Sequence, residues 1–392
     1  MPEALALALQ RFPERQALEV AKKEGRFVFT RANHHGMGNR LNSVIGAFAL
    51  ALVTNRGLAI EWEASSNCKG KHVTTNLGVT DKDCDPVGLK DLYELPFVTA
   101  AHLHNMSCTQ KHQWLVHGDR DSKKFDAMLR NPDLARVYEE QQVICAESDR
   151  HFGWAVTCNQ KDLFPDPWNA YGLLQDYLLQ RPVKSIRHKL LTAKITENNN
   201  NATTLVDDSD KEKAQFLPKC AIGIHLRKEK NIVRLVAELN ETIDELKENA
   251  GGVFLAYDPF SFEAAEKIET IVKERGLALI TVDKFEDHVT RATVNGLLDA
   301  VVDHTLLSSC DYLLPFQIER STYHDTALGR VVWRHHLDKD AIRRVIGRPD
   351  TTHNSPPDTR LPPPLADCYF PTYLPEDQAD TSSSSSSIPA TI

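Results

Sequence analysis

Apolar positions fall in blocks whose period changes along the chain. Arg26-Phe27-Val28-Phe29-Thr30 is a run of strand length, and residues 40–54, beyond a glycine turn, are almost continuously apolar, as in a buried helix. Leu58-Ala59-Ile60-Glu61-Trp62 predicts the next strand. From residue 64 to 165 the periodicity blurs and predicts no element.

The second half reads more clearly. Ala221-Ile222-Gly223-Ile224-His225-Leu226 predicts a strand. From Asn231, the positions Ile232, Leu235, Val236, Leu239, Ile243 and Leu246 follow helical spacing, and Gly251 ends it. Val253-Phe254-Leu255-Ala256-Tyr257 is a second strand. Ser261 is placed to cap a helix running to Arg275, with Gly276 just past its end. Leu277 to Val282, residues 292–307 and Tyr312-Leu313-Leu314 predict a strand, a helix and a strand. Alternation of this kind with short connections predicts a parallel sheet covered by helices on both faces.

Residues 196–214, with Asn198 to Asn201 followed by Asp207, Asp208 and Asp210, read as a linker or long surface loop. The organisation expected is an N-terminal unit over 1–195, the linker 196–214, a C-terminal unit over 215–348 and a disordered tail over 349–392. That tail carries the serine run Ser382 to Ser387 and is rich in proline, so it has too little apolar surface to offset the entropy of ordering.

The chain of 392 residues is 41% apolar and 26% charged, the ordinary mixture of a globular protein. A net charge of −8 argues against general nucleic-acid binding, which needs a basic surface. No run of 18 apolar residues suggests a membrane span, and the stretch from Met1 to Leu9 lacks the basic start of a secretory leader. The eight cysteines, among them Cys145, Cys158, Cys220 and Cys310, form no Cys-x-x-Cys pair, which disfavours structural zinc. Their even number permits disulfides, and sequons stand at Asn105, Asn201 and Asn240. The indications of compartment are thus divided between cytoplasm and secretory pathway.

Candidate chemistry gathers at the carboxyl ends of the predicted strands, where open parallel sheets hold ligands. The strand 221–226 delivers His225 and Arg227, the next ends at Tyr257-Asp258-Pro259, and Arg320-Ser321-Thr322-Tyr323 follows the last. A guanidinium, an imidazole, a carboxylate and two hydroxyls suit a nucleoside diphosphate. In the first half, His34-His35-Gly36-Met37-Gly38-Asn39-Arg40 is a glycine turn entering a helix. Its backbone can approach an anion, but Leu41 replaces the third glycine of the dinucleotide fingerprint.

The segment Gly36 to Leu41, its apolar helix and Thr54 to Trp62 together resemble the opening motif of eukaryotic and bacterial fucosyltransferases. Ala221 to Arg227 resembles their His-x-Arg donor motif, and Val253 to Pro259 their second donor motif. Leu298 to Asp303 with Leu306 to Asp311 resembles the stretch before their third motif, whose serine-threonine-aromatic core matches Ser321-Thr322-Tyr323. The resemblance is to the group holding xyloglucan α-1,2- and nodulation-type α-1,6-fucosyltransferases, and it runs through residues 26–330.

It implies a GT-B fold, an α/β architecture of two Rossmann-like domains facing across a cleft. It further implies metal-independent, inverting transfer of fucose from GDP-fucose to a glycan acceptor, with no cofactor. Arg227 would hold the β-phosphate as the catalytic residue, with Ser321 and Thr322 assisting. His225 and Asp303 would contact guanosine, Asp258 would belong to the donor site, and Gly36, Gly38, Asn39 and Arg40 would line the cleft. Tyr257 stands where the family often has an acidic residue, and His324 and Asp325 replace the usual followers of the third motif, which leaves an inactive binding homologue as one alternative; a protein O-fucosyltransferase is the nearest enzymatic one. Glu229, Glu61 and Glu63 are candidates for a general base by proximity. The family works in the Golgi lumen behind an N-terminal anchor, so the expectation is either such an anchor upstream of this chain or a cytoplasmic protein.

Other constellations read as structure. Asp83 and Asp85 form an Asp-x-Asp without a preceding apolar strand, Pro86 and Leu92 exclude an EF-hand, and a solvated loop is preferred. His102, His104, His112 and His117 lack a cysteine or carboxylate at ligand spacing. Arg334, His335, His336 and Lys339 read as the polar face of the final helix. No P-loop and no Gly-x-Ser-x-Gly elbow occurs.

Overall fold

A computed structural model describes residues 3–32, 37–62, 89–98, 114–117, 131, 133–148, 152–196, 202–204, 220–226, 232–246, 252–257, 261–282, 294–314 and 322–335. In chain order the elements are α1 (Glu3–Ala21), β1 (Phe27–Ala32), α2 (Met37–Val53), β2 (Gly57–Trp62), β3 (Trp114–His117), the single turn α3 (Leu134–Val137) and β4 (Val143–Ser148). Next come α4 (Phe152–Asn159), α5 (Pro167–Leu179), α6 (Lys184–Leu191), β5 (Lys194–Thr196), β6 (Ala202–Thr204) and β7 (Cys220–Leu226). The remainder is α7 (Ile232–Leu246), β8 (Gly252–Tyr257), α8 (Phe262–Glu274), β9 (Leu279–Thr281), α9 (Val294–Leu307), β10 (Tyr312–Leu313) and α10 (Thr322–His335).

Two sheets result. The first has the order β2-β1-β4-β3 and is parallel throughout. The second has the order β10-β7-β8-β9-β5-β6, with β10, β7, β8 and β9 parallel. The hairpin β5–β6 joins its edge antiparallel to β9, so residues 202–204 of the stretch expected as a linker are a sheet strand. Three-residue strands are too short to leave a periodic signal in the sequence.

Strand alternation assigns the faces of the second sheet. Val253 and Leu279 pack with Leu235, Leu239 and Ile268 of α7 and α8. Phe254, Ala256 and Ile280 point the other way, into the core with Val301 and Val302 of α9. Gly276 ends α8 with φ 72°, the left-handed cap expected past Arg275. Ser261 occupies the N-cap position, yet its side chain makes no cap bond.

Helix α1 covers the first sheet's edge. The buried Gln16 amide donates to Leu58 O at 2.9 Å and accepts from Leu58 N at 2.7 Å, supplying the pairing a neighbouring strand would give to β2. Helix α10 does something different: it follows the second sheet in sequence but shares a core with α2 and α5. Ala327, Leu328, Val331 and Val332 lie with Phe48, Tyr171 and Leu174 in one cluster. The crossing is close at Gly172 and Gly329, where a Cβ added to Gly172 would meet Gly329 O at 1.9 Å. Only glycine permits that approach.

Cys220, at the start of β7, is disulfide-bonded to Cys310, just before β10. Cys145 and Cys158 each take part in a disulfide bond as well. Among the described residues, no helix is long and apolar enough to cross a membrane.

Candidate active site

The carboxyl ends of β7 and β8 sit side by side, with His225 opposite Ala256 and Leu226 opposite Tyr257. Because Ile224 and Leu226 are committed to the core under α7 and α8, alternation turns His225 towards α9 and α10. There its buried ring lies 4.9 Å from the Tyr323 ring. Helix α9 contributes Asp299 and Asp303, one turn apart and both buried. Burial pushes the Tyr257 hydroxyl's pKa up, and the charges of Glu269, Asp303 and Glu266 add to this. His225 and Tyr323 thus meet on the α9 and α10 side of the sheet, whereas Tyr257 packs with the α7 and α8 core on the opposite face, and Asp303 stays buried on α9. Thr322 is the first residue of α10. Gly36, Arg227, Asp258 and Ser321 lie outside the described residues, as do Glu63 and Glu229.

The other expected group belongs to the first sheet. Gly38, Asn39 and Arg40 occupy the first turn of α2, directly after β1, where backbone N–H groups lack partners within the helix. Arg40 is buried, with its guanidinium 5.3 Å from the Trp62 ring at the end of β2. Glu61 pairs with Arg31 at 3.0 Å across the carboxyl ends of β2 and β1. Both partners are partly exposed, so the pair contributes little to stability. Its effect is to hold that carboxylate against a cation.

Below the site is a polar layer that sequence reasoning missed. His304 Nε2 lies 2.9 Å from Thr326 Oγ1, and its Nδ1 is without a hydrogen-bond partner. Burial, followed by the charges of Arg330 and Arg334, lowers the His304 pKa to about 3, so the ring is neutral at physiological pH. Arg334 donates to Asp176 and to Ser308 O. It faces this layer rather than a solvated helix face, as the sequence had suggested. The available signal was the sequence of α9 itself: carboxylates and a histidine punctuate an otherwise apolar helix.

Neutral His304 has a pH consequence. Its unfolded pKa lies near 6.5 and its folded value near 3, so between these limits the unfolded chain binds the extra proton. Stability contributed by this group should be intact above pH 6.5 and fall by about 1.4 kcal/mol per pH unit on acidification towards 3. Urea midpoints measured from pH 7 to 5 should drop in the wild type and drop less in His304→Gln. Parallel profiles would show that another group carries the acid sensitivity.

No family model matches the sequence, and no curated protein matches it. Solved structures do. An arginine-to-lysine mutant of Arabidopsis thaliana FUT1 in complex with GDP is 14% identical, with 84% of this chain and 77% of that one covered at a TM-score of 0.52. The fucosyltransferase NodZ from Bradyrhizobium is 16% identical, covering 78% and 92%, with a TM-score of 0.46. POFUT1 in complex with GDP-fucose is 11% identical, covering 79% and 95%, with a TM-score of 0.42. The two sheets, one parallel and the other parallel but for the β5–β6 hairpin at its edge, form with their helices the GT-B class of α/β fold. Within that class the chain has a fold similar to that of the fucosyltransferases.

Proposed function

We propose that this protein is a fucosyltransferase that takes fucose from GDP-fucose to a glycan hydroxyl, with inversion and without a metal ion. The observation carrying the reading is the contact of His225 with Tyr323 at the carboxyl end of β7, with buried Asp303 on α9, the helix that covers the same side of the sheet. The motif residues Arg227, Asp258 and Ser321 follow β7, follow β8 and precede α10 in sequence. Similarity of fold to a GDP-bound FUT1 supports it.

In this reading the acceptor hydroxyl oxygen attacks the anomeric carbon from the face opposite the nucleotide and gives its proton to a general base, for which Glu229, Glu61 and Glu63 are the candidates, as the bond from that carbon to the β-phosphate oxygen breaks. Negative charge collects on the departing GDP. Arg227 takes that charge, with hydroxyls of Ser321 and Thr322 assisting, while His225 and Asp303 hold the guanosine portion. Asp258 completes the donor side, and the turn Gly36 to Arg40 offers backbone N–H groups from the first sheet. The disulfide bonds fit an oxidising compartment such as the secretory lumen.

Incubation with GDP-fucose and a panel of chitooligosaccharides, xyloglucan and N-glycans should release GDP, and release should survive excess EDTA. No turnover and no donor hydrolysis on any acceptor would overturn the transferase reading. Loss of activity in EDTA restored by manganese would overturn metal independence and bring Asp83 and Asp85 forward as ligands. Tyr257, at a position the family often fills with an acid, favours one other outcome: GDP binding by calorimetry without turnover, the behaviour of a binding homologue.

A further inference from the structure

Tyr323 lies between two imidazoles. Its ring centroid is 4.9 Å from that of His225 at an interplanar angle of 42°, and 5.3 Å from that of His304 at 73°. The hydroxyl donates to Ala300 O at 2.6 Å, tying α10 to α9. The backbone is fixed from the same side: Tyr323 O accepts from Thr326 Oγ1 at 2.9 Å, and that hydroxyl also meets His304 Nε2. Ring, hydroxyl and carbonyl are thus each held by a buried or half-buried partner. His225 hangs from the end of a strand whose backbone is fixed by the sheet ladder, and the Tyr323 ring lies against its imidazole.

We propose that Tyr323 is a positioning residue: anchored by Ala300 and His304, its ring sets the orientation of the His225 imidazole and so the affinity for a nucleoside diphosphate. This rests on the donor-site reading above. Aromatic pairs of this geometry add specific energy beyond burial, and an imidazole held in one rotamer loses less freedom on binding.

The test separates ring from hydroxyl. Tyr323→Leu should weaken GDP binding by about tenfold in calorimetry, the upper range for an aromatic pair. Tyr323→Phe keeps both ring contacts and should restore affinity, even though loss of the bond to Ala300 O lowers its thermal midpoint. In a His225→Ala background, Tyr323→Leu should cause no further loss of affinity. Affinity that simply follows the thermal midpoint across the variants, or full additivity in the double variant, would overturn the proposal. If the wild type binds no GDP, the donor-site reading fails on its own. The His225 side-chain NMR resonance then decides: it should move in Tyr323→Leu and stay near its wild-type position in Tyr323→Phe. An unmoved resonance in the leucine variant overturns the positioning role.

Discussion

Arg227→Lys is expected to be nearly as inactive as Arg227→Ala. Arg227 stands two residues beyond His225, past the last residue of β7. In the proposed transfer, charge grows on the β-phosphate as the glycosidic bond breaks, and a fixed guanidinium would stabilise that developing charge more than the intact donor. Lysine keeps the charge but loses the planar two-point grip. The expected loss is on the order of 3–4 kcal/mol of transition-state stabilisation, or ~10²–10³ in kcat. Folding should be spared, because the residue follows the apolar run of β7 rather than belonging to it. Measurement of kcat, GDP affinity and thermal midpoint for both variants is the check; a lysine variant with near-normal kcat and midpoint would remove Arg227 from the phosphate site.

The largest expected loss of stability comes from Asp176→Ala. One oxygen of Asp176 accepts from Arg330 and from Arg334, each at 3.1 Å. Arg330 is 1% exposed, and its Nε and Nη1 have no hydrogen-bond partner. Arg334 feels the same crowding: burial and the neighbouring Arg330 charge lower its pKa to about 10. Removing the shared carboxylate leaves buried Arg330 facing half-buried Arg334 with no counter-charge, a loss of roughly 2–4 kcal/mol once partial exposure of Asp176 and Arg334 is allowed for. Arg330→Met removes the charge that carries the unpartnered donors and leaves Asp176 with Arg334, so it should be the milder change despite deleting the more buried residue. Thermal and urea midpoints of the two variants decide the ordering, and an arginine variant that is as unstable as the aspartate variant would contradict it.

Legibility in the sequence followed the range of the interactions involved. β1, β2, β7 and β8 announce themselves because strands buried on both faces are continuous apolar runs, and α2 is almost as plain. α1 was missed although Leu5, Leu9 and Phe12 keep helical spacing: Pro13 reads as a breaker, and buried Gln16 and Glu19 stand where apolar residues would be expected. Gln16 is there for an edge strand 42 residues away, which no local window contains. His225 and Tyr257 were legible as candidates because they lie at strand ends, positions set by the strands themselves. The layer beneath them was not. Asp176, His304 and Arg330 look like ordinary polar helix residues until α10 crosses back to α5, and nothing short of tertiary structure places them in one interior. Residues 64–165 hold short elements, β3 and β4 among them, separated by long stretches without a period.

The return of α10 also sets a schedule for synthesis. α5 leaves the ribosome long before α10, and at ~5–20 residues per second the interval is on the order of ten seconds. During it, the groove at Gly172 and the apolar flank of Tyr171 and Leu174 face solvent in the nascent chain, since their partners Ala327, Leu328 and Val331 have yet to be translated. The N-terminal half therefore cannot mature as an autonomous first-born domain. It must be sheltered from self-association until the second half has been made, and any fragment that stops before residue 322 carries that uncovered groove permanently.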